Sequence, residues 1–449
     1  MKRKNLTILI FTLLLFTFYS SLYAQGTFTP FKFQCNDSLS RPYVLYTPQD
    51  IDKSKKQPLL VYLHGGISRK TIIRNPLKYA KQSKLINIAD EGNFYILFCF
   101  GDKDATWFDK TGVDMVLKEI DEVKNNFMIN TDQIILSGFS DGGSGALYFS
   151  MTNPSIFAGF ISLNGNLRIS NQVGFYDLYP ANMNHKPIYI INTKNDPLYP
   201  IHQIRQSVEY LKEYNKNIKF KEVEGKHEIN YITQEKSNLI EFIHNSNLQK
   251  ADSLKWETSN TSMNSQRFLE IIELDTFAPQ KSWHHKYKLE IYNDKAEFGA
   301  LYDFKYRKGG LRVKSFQNDT CTARRIGIEL NDIILAMDKD SMISPYSSRS
   351  YVASKKAGDK ITISLIRDNK RLQINGTFNE GYINRIFDHK SRSGKVTVSL
   401  NNNELIVNTS RVSKCSINFD QLTTPVNKLI VNNETYPINL SGIQIIEIK

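Results

Sequence analysis

Short uninterrupted apolar runs recur along the first half of the chain, at 59–63, 95–100, 134–136, 160–163 and 187–191, with a more alternating run at 218–223. Runs of this kind, without polar alternation, suit strands covered on both faces. Between them lie stripes at helical spacing: Val113, Val116, Ile120, Val123 and Phe127, then Ile201, Ile204, Val208 and Leu211. A closing helix is expected to carry Ile232, Leu239, Ile240 and Ile243, and residues 31–33 and 43–46 suit the first strands. Strands alternating with helices predict an α/β domain over 27–248 with a mostly parallel central sheet.

The pattern then changes. Residues 246–266 are polar and rich in Ser, Asn and Lys, which predicts a linker over 249–266 and a first half able to stand alone. Beyond it, short runs alternate polar and apolar, as half-buried strands do. Segments 396–400, 404–407 and 428–431 read as a small β-sandwich over 380–449. Whether 267–296 and 380–449 form one split module around the stretch between them stays open at this point.

Candidate chemistry concentrates at the ends of the apolar runs. Gly138-Phe139-Ser140-Asp141-Gly142 follows the run 134–136 and precedes small residues able to open a helix. A sharp strand-to-helix turn lifts a serine hydroxyl clear of a sheet and admits only small neighbours, so Ser140 is the candidate nucleophile. The run 187–191 leads to Asn195-Asp196-Pro197, and 218–223 leads to Gly225-Lys226-His227. His227 would serve as base and then acid, with Asp196 holding its tautomer. Asp196 could instead cap the next helix, and a lone His is more often structural. The order serine, acid, histidine favours the triad. His64-Gly65-Gly66 follows the run 59–63, so backbone N–H groups of Gly65, Gly66 and Asp141 are candidate oxyanion donors, with His64 orienting the loop. Trp107 is a candidate substrate contact or, equally, a packed loop residue.

On these residues, together with Arg41-Pro42-Tyr43-Val44-Leu45-Tyr46 and Asp196-Pro197-Leu198-Tyr199-Pro200, residues 27–248 resemble an α/β-hydrolase. The nearest type is the exported esterases related to polyhydroxyalkanoate depolymerases and feruloyl esterases. The resemblance implies ester hydrolysis through an acyl-enzyme, without cofactor, on a small or polymer-linked ester. Residues 297–379 resemble a PDZ module. Lys308-Gly309-Gly310-Leu311 stands for its glycine loop, where Gly309, Gly310 and Leu311 would receive a peptide C-terminal carboxylate. Asn331 replaces the usual Gly of the core turn, and Asp368-Asn369 is expected at a hairpin turn.

Bulk properties narrow the class. In a chain of 449 residues, Lys2-Arg3-Lys4, an apolar stretch and Ser20-Ser21-Leu22-Tyr23-Ala24 have the form of a signal peptide cleaved after Ala24. Export to the periplasm or exterior is the expectation, with no stable membrane insertion. The net charge of +13 is spread among exposed positions without a basic stripe interleaved with aromatics, which argues against nucleic acid as partner. The four cysteines (Cys35, Cys99, Cys321, Cys415) make no disulfide framework and no metal-ligand spacing, and Cys99 is expected in a core strand. Two competing functions remain: a serine peptidase of prolyl-oligopeptidase type, and a non-catalytic binding protein on a hydrolase scaffold. The first normally carries a large propeller before its catalytic domain, for which this chain has no room ahead of the first strands.

Overall fold

The computed structural model of the chain describes residues 26–67, 73–248, 253–263, 265–389, 391–422 and 424–448. The expected leader, 1–24, lies outside them.

Eight strands form the first sheet: β1 (Thr27–Gln34), β2 (Ser40–Thr47), β3 (Gln57–Leu63), β4 (Tyr95–Cys99), β5 (Ile129–Phe139), β6 (Gly159–Leu163), β7 (Ile188–Thr193) and β8 (Ile218–Val223), in the order β1-β2-β4-β3-β5-β6-β7-β8. β1 and β2 are antiparallel to their neighbours, and β4 through β8 run parallel. Alternate residues of β3 feed two cores. Leu59, Val61 and Leu63 face one, with Val116 and Ile120 of α3 (Lys110–Asn126) and Ile204 and Val208 of α6 (Ile201–Tyr214). Leu60 and Tyr62 face the other. That side is covered by α1 (Pro76–Lys81), α2 (Ile86–Gly92) and α7 (Lys236–Asn245), through Ala80, Ala89 and Leu239. Burial on both faces explains why these strands lack polar alternation. Two more helices, α4 (Asp141–Thr152) and α5 (Leu167–Val173), follow β5 and β6.

The linker expected over 249–266 is corrected. β9 (Ser253–Thr258) lies inside it, with Leu254 and Trp256 buried and Ser253 and Lys255 exposed. The polar composition came from the outward half of a period-two strand. β9 pairs with β20 (Gly394–Asn401), and β20 pairs with β21 (Glu404–Ser410). On the facing sheet β11 (Leu269–Leu274) pairs with β22 (Val412–Asn418). Strands from both sides of the intervening region therefore share one core, with Trp256, Ile271, Val398, Val407 and Ile417 in it.

That intervening region holds a two-stranded ribbon, β12 (Leu289–Asn293) with β19 (Tyr382–Ile386), and beyond it a six-stranded sheet. The sheet runs β13 (Ala300–Tyr302), β14 (Leu311–Phe316), β15 (Ile333–Met337), β17 (Lys360–Arg367), β18 (Lys370–Thr377), with α8 (Thr322–Arg325) and α9 (Pro345–Ala353) beside it; β16 (Asp340–Ser341) pairs with β15. Asn331 adopts φ 70°, and Asp368 and Asn369 adopt φ 48° and 62° at the β17–β18 turn. These are conformations that Asn and Asp tolerate well.

The two halves are packed together. Tyr287, Leu289, Ile291, Ile386 and Phe387 of the ribbon region join the hydrolase core beside α6. Phe387 stacks on Tyr210, and Gln203 donates to Asn293 at 3.2 Å. An independent first half is therefore not what the packing presents.

Candidate active site

Parallel strands deliver their C-terminal ends to one edge, and the candidate residues sit along it. Ser140 follows β5 with φ 59° and ψ −117°. A non-glycine residue in that region is strained, and such strain collects at functional turns. Its neighbours have no space for side chains. A Cβ at Gly142 would lie 1.9 Å from the Leu63 carbonyl oxygen, and one at Gly138 2.3 Å from the Gly142 backbone. The glycines of the motif are thus required by close approach of β3 and α4 to the turn.

His227 leaves β8 with Nε2 2.8 Å from Ser140 Oγ and Nδ1 2.7 Å from Asp196 Oδ2. Asp196 is 4% exposed. Its Oδ1 accepts the backbone N–H groups of Leu198 (2.8 Å) and Tyr199 (3.0 Å), and its Oδ2 also accepts from Asn164 Nδ2 at 2.9 Å. Helix α6 begins at Ile201 with Pro200 at its N-cap position and no side-chain cap, so the alternative role for Asp196 as helix cap is not taken. Burial alone would raise its carboxyl pKa, but the bonds from His227, Asn164 and Tyr199 outweigh burial and hold it below the ordinary value. An ionised carboxylate fixed by several donors is what orients an imidazole.

The loop after β3 completes the edge. A Cβ on Gly65 would meet Ser140 Cβ at 2.9 Å and Oγ at 3.5 Å, so Gly65 lies against the Ser140 side chain, and Gly66 has φ 75°. Asp141 opens α4, and its Oδ2 accepts the Ile67 N–H at 2.9 Å, tying the two segments together. His64 is fully buried with Nδ1 2.9 Å from the Gly65 carbonyl; burial lowers its pKa and keeps it neutral.

Trp107 is corrected as a substrate contact. It is 0% exposed, packs edge-on against His64, and its Nε1 donates to the His64 carbonyl at 2.9 Å. It holds the glycine loop from beneath. The Gly309, Gly310 and Leu311 carboxylate loop is also corrected. Leu311 pairs with Ile334 in β14, an interior strand between β13 and β15. A Cβ on Gly310 would strike Ile333 at 2.7 Å. The glycines, at φ 86° and 75°, shape a β13–β14 connection pressed on its neighbour; the edges of the sheet are β13 and β18.

Sequence reasoning passed over two residues. Asn164, directly after β6 at φ 44°, donates to Asp196 and to Thr193 (2.6 Å) and accepts from Tyr231 at 2.8 Å. Its signal was an Asn immediately after a buried strand, at a place that favours positive φ. Tyr199 stands edge-on to the His227 ring, centroids 5.2 Å apart, with its hydroxyl 3.4 Å from Asp141.

The strand order and the nucleophile turn define an α/β-hydrolase domain. Residues 51–247 match the family described as Phospholipase/Carboxylesterase, and residues 301–376 match the PDZ domain family. The chain thus joins a domain of α/β-hydrolase fold to a β-rich region that contains a PDZ domain. Acyl-protein thioesterase 1 of Neurospora crassa is 32% identical over 109 residues, covering 24% of this chain and 42% of that relative. Among solved structures, the fluorophosphonate-binding serine hydrolase F of Staphylococcus aureus is 19% identical with a TM-score of 0.41, over 49% of this chain and 100% of that one. A Pyrococcus furiosus esterase is 15% identical with a TM-score of 0.36, over 49% and 92%.

Proposed function

We propose that the protein is a serine hydrolase that cleaves carboxylic esters through an acyl-enzyme. The observation that carries this reading is the unbroken line Ser140 Oγ, His227 Nε2, His227 Nδ1, Asp196 Oδ2, at 2.8 and 2.7 Å. His227 takes the Ser140 proton as Oγ attacks the ester carbonyl. The oxyanion forms against the backbone N–H groups of Asp141 and the Gly65–Gly66 loop, a contribution typically worth about 10²–10³ per donor. His227 then passes the proton to the leaving alkoxide oxygen, and water repeats the cycle on the acyl-enzyme.

The experiment is a fluorophosphonate probe together with p-nitrophenyl acyl esters on the full chain. Labelling and turnover that both vanish in Ser140→Ala, by roughly 10⁴-fold or more, support the reading. A wild-type protein that neither labels nor turns over, despite native spectra, overturns it in favour of a binding protein on this scaffold. Cleavage of peptide amides in preference to esters would favour the peptidase reading. The substrate panel includes hydroxyalkanoate and feruloyl esters, from the family resemblance, and acyl thioesters, from the thioesterase relative.

Two further parts belong to the same reading. An extended peptide would add to the open edge of β13 beside α9, where Leu301 and Tyr346 are exposed and Tyr302 bonds to Ser348 at 2.7 Å. Fluorescent C-terminal peptides test this, and equal binding by their amidated forms would exclude carboxylate capture. Export rests on residues 2–24. A mature N-terminus at Gln25 supports it, and a retained Met1 overturns it.

A further inference from the structure

A cavity of about 730 Å³ lies away from the Ser140 line, between the β12–β19 ribbon, the β-sandwich and the segment before β12. Its size falls within the range of small-molecule sites. None of the triad residues lines it.

The floor is a buried polar network. Glu257 Oε1 accepts from Ser393 at 2.7 Å and lies 2.9 Å from His284 Nε2; Oε2 accepts from Tyr287 at 2.7 Å and pairs with Lys395 at 3.2 Å. Burial would raise the Glu257 carboxyl pKa, but His284, Lys395 and Ser393 hold it below the ordinary value. The floor therefore carries an ionised carboxylate already offset by an ammonium, with hydroxyls from Ser393 and Tyr287 around it. Each Glu257 oxygen already has two partners and both hydroxyl protons are spent on it, so what the floor leaves for a ligand are hydroxyl-oxygen lone pairs of Ser393 and Tyr287, acceptors for sugar hydroxyls.

The walls carry excess positive charge. Arg392 Nη1 donates to the Thr276 carbonyl and Arg411 Nε to the Ala278 carbonyl, each at 3.1 Å. One turn thus anchors both guanidinium groups while the remaining N–H donors stay available, and among the described residues neither arginine is in an ion pair. Arg411 also sits at φ 57° between β21 and β22, a strained position of the kind that persists at binding sites. Lys286 and His285 add to this side. Of the lining acids besides Glu257, Glu290 is already shared by Lys288 and Arg385 at 3.5 and 3.4 Å, which leaves Asp388 as the opposing charge. Anchored guanidinium forks match the planar or tetrahedral oxygens of carboxylate and phosphate groups. The aromatic lining residues Tyr287 and Phe387 are nearly fully buried, so charge and hydrogen bonding dominate over stacking.

We propose that this cavity is a second ligand site, for an acidic sugar whose carboxylate or phosphate engages Arg392 and Arg411 while its hydroxyls meet the Glu257–Ser393–Tyr287 floor. The site is independent of the ester chemistry.

Titration calorimetry on the full chain tests it with trigalacturonate, glucose 6-phosphate and maltotriose. At least one acidic probe is expected to bind, maltotriose at least roughly ten-fold more weakly, and the affinity is expected to fall as salt rises. The arm that binds distinguishes carboxylate from phosphate recognition. Arg392→Ala with Arg411→Ala is expected to weaken binding by about ten-fold or more while hydrolysis of a small ester stays unchanged. Because Arg411 anchors a turn, the pair Lys286→Ala with His285→Ala provides a variant that touches no backbone carbonyl, with an expected loss of about three-fold. Neither acidic probe binding at about 10 mM, or maltotriose binding equally well, overturns the proposal. So does unchanged affinity in a folded arginine variant.

Discussion

Asp196→Asn tests the orientation of the catalytic line more sharply than removal of any other atom, because the surroundings dictate how the introduced amide must sit. The Oδ1 position accepts two backbone N–H groups, from Leu198 and Tyr199, and only an oxygen can satisfy both. The amide NH₂ must then take the Oδ2 position, facing His227 Nδ1 and Asn164 Nδ2. Against His227 it becomes a donor, so Nδ1 turns into the acceptor and the ring proton moves to Nε2. There it points at Ser140 Oγ and cannot accept the serine proton. The wrong tautomer costs about 10⁴ in kcat in the worked triad of a serine protease, equivalent to about 5 kcal/mol of barrier. Against Asn164 the NH₂ meets another NH₂, leaving a buried donor unpaired at about 1–3 kcal/mol of stability. The expected result is a near-dead enzyme with unchanged KM, slowed fluorophosphonate labelling and a modestly lowered denaturation midpoint. Steady-state turnover of p-nitrophenyl acetate and chemical denaturation measure the two effects separately. A variant that keeps more than about a tenth of wild-type kcat would refute the tautomer argument and with it the place of Asp196 in the line.

Trp107→Phe keeps an aromatic ring but removes the pyrrole part of the indole with its donor to the His64 carbonyl, so a loss of about 1–3 kcal/mol in urea denaturation is expected, with reduced kcat from a looser glycine loop. An unchanged midpoint would show that the bond is not needed. In the PDZ domain, burial would raise the Asp338 carboxyl pKa, but bonds from Lys355, Tyr351 and the Thr362 N–H bring it to about 2. A carboxyl lowered on folding stabilises the fold above its unfolded value of 3.8 and loses that contribution as pH falls toward 2. Melting of the full chain between those pH values should therefore steepen relative to Asp338→Asn, and parallel profiles would contradict it. A fragment of residues 27–248 should be poorly soluble or melt well below the full chain, because Tyr179, Tyr210 and Tyr214 lose the ribbon residues Tyr287 and Phe387. Equal melting of fragment and full chain would overturn this coupling.

The site was legible in the sequence to the extent that its determinants are local. Gly138 and Gly142 are forced by a carbonyl and a backbone within bond-length reach of any side chain, so the nucleophile turn leaves a fixed spelling. Strand ends then place Asp196 and His227 on the same edge because parallel strands share a direction. Asn164 was missed because its role is set by partners far away in sequence, Thr193, Asp196 and Tyr231, which no local pattern marks. Trp107 read equally well as a substrate contact because an aromatic in a polar loop gives no sign of whether it turns inward; the His64 carbonyl, which accepts its indole N–H, decides that. The linker failed for a different reason. In Ser253-Leu254-Lys255-Trp256 the outward residues outweigh the inward ones in composition, and period two is invisible in so short a stretch without its partner strand.

The same pairing changes what the second half is for. A β-module joined by a free tether could move without affecting the hydrolase. Here the strand directly after the hydrolase, β9, is held from both directions. Glu257 donates its backbone N–H to Asn182 Oδ1 and accepts from Asn182 Nδ2 through its carbonyl, at 2.8 and 2.9 Å, while its side chain anchors His284, Tyr287 and Lys395. Lys295, just past the ribbon, donates to the Leu198 carbonyl at 3.1 Å, two residues from Asp196. One hydrogen-bonded contact therefore runs from the candidate acidic-sugar cavity to Asn182 of the hydrolase domain, and another from the base of the PDZ domain to the turn that carries Asp196. Both appended regions are thus hydrogen-bonded to the hydrolase domain rather than tethered beside it, which is why the fragment of residues 27–248 is expected to lose stability.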